Sequence, residues 1–148
     1  MKKLVSLVLF LFLFGVCSCA SLNVISDKRP AGCEESIIYA KIPNPKTAGI
    51  AVELANITFV KHYPLAKASV LSSLGKVETL LNNDPVTWKE LITMVTGEVN
   101  SIKNNFGIEL LILSGYLKVL DNPLPINKCD KDLLLNHVKE QKMYINML

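Results

Sequence analysis

Four cysteines and two histidines carry most of the reactive chemistry in this 148-residue sequence. Cys17 and Cys19 lie close together at the end of an apolar run, whereas Cys33 and Cys129 stand apart, with no neighbouring cysteine or histidine at the spacing of a zinc site. A thiol can be acylated, oxidised to a disulfide or bound to a metal, and the compartment decides among these fates. His62 and His137 are the natural groups for proton transfer. His137 and Glu140 form H-x-x-E on one helical face, a spacing that a metal can use; with no further ligand evident, a solvated polar face is the stronger reading. His62 falls in an interhelix turn and reads as a surface or packing residue. Glu34 and Glu35 are neighbouring carboxylates, and adjacent side chains do not converge on a substrate by themselves. There is no G-x-S-x-G elbow, no P-loop and no H-E-x-x-H in the chain. The residues therefore name no catalytic, cofactor-binding or metal-binding side chain, and a noncatalytic protein without a cofactor is the expectation.

The cysteines gain meaning from what precedes them. Lys2-Lys3, the apolar run Leu4 to Val16 and the small residues after it have the three parts of an export leader: a cationic start, a hydrophobic stretch and a cleavage region. The run is about 13 residues, too short to cross a hydrocarbon core of about 30 Å as a mature helix. A cleaved signal peptide follows. Val16-Cys17-Ser18-Cys19 resembles the lipobox of bacterial lipoprotein precursors, with an aliphatic residue three before the lipidated cysteine and a small residue just before it. Cys17 at the intervening position departs from the usual pattern.

The resemblance implies removal of residues 1–18, attachment of lipid, palmitate among its acyl chains, to Cys19, and a membrane tether in the cell envelope. Ala20 stands where an aspartate would favour inner-membrane retention. In a host with two membranes this implies an outer-membrane lipoprotein facing the periplasm. The rival is cleavage after Ala20, because Ser18 and Ala20 satisfy the small-x-small pattern of a soluble secreted protein.

Both routes leave the same two mature thiols. Cleavage before Cys19 removes Cys17 and lipidates Cys19; cleavage after Ala20 removes both. Cys33 and Cys129 remain, in an oxidising compartment, and are expected to pair. They are 96 residues apart, so closure would stabilise the fold by somewhat under about 4.7 kcal/mol in the chain-entropy model.

Length and composition bound the rest. Beyond the leader, residues 19–32 read as a lipidated start and flexible spacer, and 33–148 as a single helical domain. The precursor charge is +3, of which Lys2 and Lys3 supply two units, so a basic nucleic-acid footprint is absent. Aromatic residues make up 7% of the chain, which argues against broad stacking platforms for sugars or bases.

Apolar periodicity sets the elements that must hold these groups. Ile37 to Ile42 reads as a short helical turn or an extended lead-in, broken at Pro43-Asn44-Pro45. Asn44-Pro45 starts a helix over about 45–60, with Ile50, Leu54 and Ile57 as its apolar face beside Ala51 and Ala55. A second helix over about 64–82 carries Leu65, Ala68, Leu71, Leu74, Val77 and Leu81. Thr87-Trp88-Lys89-Glu90 matches a capping box, with Asp84-Pro85 a competing start, and opens a helix whose stripe is Trp88, Leu91, Ile92, Val95, Val99 and Ile102. Ile108 to Leu120 is nearly all apolar and reads as a buried central helix. Asp130 is expected to cap a last helix that turns Leu133, Leu134, Val138, Tyr144 and Ile145 inward, with Lys139 and Lys142 toward its negative end.

These elements predict an all-α fold, a compact bundle of about five helices with one disulfide behind a cleaved signal peptide. The expected role is a small exported, lipid-anchored envelope lipoprotein that binds or supports an envelope protein. Two other classes stay open: a soluble secreted or phage-encoded inhibitor or immunity (exclusion) protein, and an envelope hydrolase or metal-binding protein. The last would need His62, His137 and carboxylates gathered in one cleft.

Overall fold

The structure, a computed structural model, describes residues 28–42, 44–106, 120 and 123–148. The leader, its cleavage point and Cys19 lie outside the described residues, as does the apolar stretch 108–119; Leu120, which ends that stretch, is fully buried. Among the described residues the fold is all α. Its helices are α1 (Ile37–Lys41), α2 (Pro45–His62), α3 (Lys67–Leu81), α4 (Trp88–Phe106) and α5 (Lys128–Asn146), with a 3-10 turn, Pro64–Ala66, between α2 and α3. The lead-in at Ile37 thus proves helical. Ser36 caps it, accepting the Tyr39 N–H at 3.1 Å.

Helix α2 begins with Pro45 at its first turn, where the missing N–H costs nothing, and it stops at Tyr63 because Pro64 disfavours helical backbone in the residue before it. Its buried face differs from the expected one. Ile50 and Leu54 are 54% and 58% exposed, while Gly49, Glu53, Phe59 and Val60 are buried. The face turned inward therefore runs 49, 53, 56 and 60, a helical spacing that mixes small and polar residues with apolar ones. A similar shift affects α3. The expected stripe began at Leu65, but residues 64–66 form the tighter turn, leaving Leu65 88% exposed and placing Ala66 and Val70 in the core instead.

Helix α4 follows the sequence closely. Thr87 and Glu90 close the capping box: the Thr87 N–H and hydroxyl both donate to Glu90 Oε2 at 2.8 Å, and the Glu90 N–H donates to Thr87 Oγ1 at 3.3 Å. The Asp84-Pro85 start is not used; that peptide is cis and lies in the preceding link. Trp88, Leu91 and Ile102 are buried along one stripe. Two backbone bonds stitch the start of α4 to the strand-like link 123–126, from Trp88 N to the Leu124 carbonyl at 3.2 Å and from Ile126 N to the Val86 carbonyl at 2.8 Å.

The last helix starts three residues earlier than expected from Asp130. Asn127, in extended backbone, is the cap and accepts the Asp130 N–H at 2.9 Å, so Cys129 and Asp130 both lie in the first turn. Val138 and Ile145 face the core as anticipated, and Leu133 and Leu134 pack at its edge. Tyr144 does not. It is 43% exposed, because the inward stripe passes through 138, 141 and 145 and a residue one step from Ile145 points about 100° away. The final turn holds no basic residue; Lys142 is drawn sideways to Glu78 of α3 at 2.7 Å.

Helix α5 packs against both α2 and α3, and α3 packs against α4. The apolar interior falls into two clusters. One joins Ile38, Ile42, Leu81, Val86, Trp88, Leu91, Leu120 and Ile126; the other joins Phe59, Val60, Ala66, Val70, Ile102 and Ile145. Each Val, Leu, Ile or Phe among them contributes about 1.5–3 kcal/mol on burial. Cys33 and Cys129 form the expected disulfide, with their Cα atoms 5.5 Å apart, a separation at the centre of the usual range. No helix among the described residues is long and apolar enough to cross a membrane.

Candidate functional site

Helix α5 positions the polar groups of interest because it faces two partners at once. At its start, the Asp130 carboxylate is completely buried and meets the first turn of α1. Asp130 Oδ1 accepts the Ser36 hydroxyl in a short contact, and Oδ2 accepts the Ile37 N–H at 2.9 Å and Asn127 Nδ2 at 3.0 Å. Asn127 Nδ2 also donates to the Glu35 carbonyl at 2.8 Å. A buried carboxylate is tolerable only when donors surround it, and here the helix start supplies them. With the disulfide one residue away, this corner is a structural clamp that leaves no oxygen aimed at a cleft.

The second polar locus lies where α5 crosses α2. His137 Nδ1 and Glu53 Oε1 are 3.0 Å apart, and Asn56 Nδ2 donates to Gln141 Oε1 at 2.7 Å one turn further along. Glu53 is only 7% exposed. Gly49 makes room for the imidazole: a Cβ at this position would fall 2.1 Å from His137 Cε1 and 2.4 Å from Nε2. His137 Nε2 is itself buried with no hydrogen-bond partner among the described residues. Glu140, one turn on from His137, completes a cluster in which one ligand atom from each of Glu53, His137 and Glu140 lies within 4.8 Å of the others.

The residues singled out from the sequence thus separate. His137 and Glu140 gain Glu53 as a third member. His62 sits at the exposed end of α2, its Nδ1 3.0 Å from the Thr58 carbonyl. His62 stands nine positions along the helix from Glu53, about 13.5 Å of rise. The two histidines accordingly do not share a cleft. Glu34 and Glu35 also serve local structure. Glu34 Oε1 accepts the Gly32 N–H at 3.1 Å, and the amides of Glu34 itself and Gly32, with Arg29 nearby, hold its carboxyl below the usual range. Trp88 is fully buried in the core, as expected of an apolar stripe, and lines no cleft.

Elsewhere Glu98 and Glu78 are paired with lysines across helices. Glu98 of α4 accepts from Lys76 at 2.7 Å and from the Ser73 hydroxyl at 2.6 Å, and these bonds depress its carboxyl pKa. Glu78 is lowered in the same way by the hydrogen bond and charge of Lys142, with Lys139 adding to the field. An open groove beside Gly75, Lys76, Glu78, Asn83 and Lys142 is lined by these same paired groups and concentrates no unused chemistry.

Sequence reasoning missed Glu53. This carboxylate stands off the apolar face of Ile50, Leu54 and Ile57 that periodicity picks out. The available signal was the run Gly49, Glu53, Asn56, Val60, which repeats at helical spacing and matches the polar stripe His137, Gln141 across the interface. Comparison of the chain with protein-family models, with curated proteins and with solved structures returns no match.

Proposed function

We propose that this chain is an exported envelope lipoprotein, tethered through Cys19, whose disulfide-locked helical domain binds or supports another envelope protein without turning over a substrate. The observation that carries the reading is the leader itself: Lys2-Lys3, the apolar run to Val16 and the lipobox-like Val16-Cys17-Ser18-Cys19. The Cys33–Cys129 bridge supports it, because structural disulfides belong to oxidising compartments. In a host with two membranes the tether would place the domain on the outer membrane, facing the periplasm. Cys33 lies 14 residues after Cys19. A spacer of that length would let the domain stand off the bilayer by roughly 20 Å.

Metabolic labelling with a fatty-acid probe tests the anchor. Wild-type protein should incorporate the label and Cys19→Ala should not. Equal incorporation in both would remove Cys19 as the attachment point, and no incorporation in either would leave the secreted form cut after Ala20, the arrangement expected of a diffusible inhibitor. Crosslinking and pulldown of the tethered protein from intact envelopes should then recover a specific protein partner.

A further inference from the structure

We propose that Glu53, His137 and Glu140 form a binding site for a first-row divalent transition-metal ion, with zinc as the representative case. The site goes beyond the envelope-binding role and is independent of the anchor. Three ligand-bearing side chains from two helices, α2 and α5, bring one donor atom each within 4.8 Å of the others. Zinc binds imidazole nitrogen at about 2.0–2.1 Å and carboxylate oxygen at about 2.0–2.2 Å, so adjacent donors in a tetrahedral shell stand about 3.3–3.4 Å apart. His137 Nδ1 and Glu53 Oε1, at 3.0 Å, are already close to one edge of such a shell. The exposed Glu140 has the side-chain freedom to close the other edges from its distance of under 4.8 Å.

Two further observations set this cluster apart from a surface ion pair. Glu53 is more than nine-tenths buried, and a carboxylate taken out of water needs a strong compensating positive charge. His137 Nε2 is buried and has no hydrogen-bond partner among the described residues. That nitrogen lies on the Gly49 side of the ring, which leaves Nδ1, beside Glu53, as the nitrogen offered to an ion. Gly49 belongs to the same construction, since any larger residue would displace the imidazole from its place beside Glu53.

The donor set also fixes the class of ion. One imidazole and two carboxylates suit zinc and its first-row neighbours, whereas magnesium and calcium prefer oxygen alone. Three protein ligands leave a coordination position for water or for a group from a partner. The ion would join α2 to α5 about two helical turns beyond Cys129 of the disulfide.

Isothermal titration of the full-length protein in detergent with zinc chloride tests the site. The expected result is one zinc per chain with a Kd of about 1–10 µM, a rise in Tm with zinc, and no heat with magnesium. Glu140→Gln should weaken binding at least about tenfold while leaving the Tm of the zinc-free protein unchanged. His137→Ala should abolish binding; if that variant does not fold, Glu140→Gln decides alone. Cys19→Ala should titrate like wild type, which separates the metal site from the anchor. Failure of the wild type to bind at about 1 mM zinc, weaker than any functional site in this affinity range, would overturn the proposal. So would unchanged affinity in Glu140→Gln.

Discussion

Gly49 and His137 meet so closely from facing helices that only the residue without a Cβ fits. Gly49→Ala should destabilise the domain by about 1–3 kcal/mol through overpacking, despite the helix propensity alanine brings. In a His137→Ala background the same substitution should become neutral or mildly stabilising, and urea unfolding of the four proteins reads the coupling. Additive effects would show that the imidazole does not occupy the space beside Gly49. Asp130 offers a sharper loss. Its buried carboxylate satisfies the Ser36 hydroxyl and the Ile37 N–H, so Asp130→Ala strands both and should cost about 3 kcal/mol. The sequence announced Asp130 as a helix cap, and its neighbourhood was right although its role was not. A cap acts on its own helix, whereas this carboxylate acts on a helix start 93 residues away. Nothing local encodes that distance.

At the scale of elements, local signals were reliable where the chemistry is local. Thr87 and Glu90 close their capping box with each other and need no distant partner, and Trp88, Leu91 and Ile102 are buried on the stripe that periodicity marks. Thr87→Ala should cost about 1 kcal/mol, measured as a lower urea midpoint at unchanged slope. The face of α2 was misplaced for the opposite reason, whereas on α3 only the start was, since Leu71, Leu74, Val77 and Leu81 do pack inward. Periodicity finds the most apolar face, but α2 turns Gly49, Glu53 and Asn56 toward α5, where close approach and polar pairing outweigh the burial of Ile50 and Leu54. The interhelix pairs also fix a pH response. Lys142 lowers Glu78, the Thr87 amide and hydroxyl lower Glu90, and Lys76 with Ser73 lowers Glu98. A carboxyl whose folded pKa lies below its unfolded value stabilises the fold above that unfolded value and loses the contribution as pH falls through the folded one. Stability should therefore hold from neutral pH to about 5 and decline below about 4.5, near the ordinary glutamate value. In a Glu78→Gln, Glu98→Gln double variant the acid limb should be shallower. An identical limb would assign the acid sensitivity to other groups.

For the whole molecule, helix α5 is the common wall: the disulfide and Asp130 hold its start to α1, the Glu53–His137 and Asn56–Gln141 pairs hold its middle to α2, and Lys142 holds it to α3. The disulfide was legible without structure because either expected cleavage of the leader would leave the same two thiols. The wall was not, since its partners are drawn from segments up to 96 residues away. Cys33→Ser with Cys129→Ser should lower stability by about 2–5 kcal/mol while leaving the helical content of the folded state intact. The central claim is an exported domain tethered at Cys19 and locked by that bond. It is tested most directly by intact-mass and peptide mass spectrometry of the protein alkylated in native envelopes and then isolated. The account predicts a mature chain that begins at Cys19, carries lipid on that residue, and has Cys33 and Cys129 joined and closed to alkylation. A chain that retains residues 1–18, or begins at Ser21 without lipid, or presents Cys33 and Cys129 as alkylated free thiols, would contradict it.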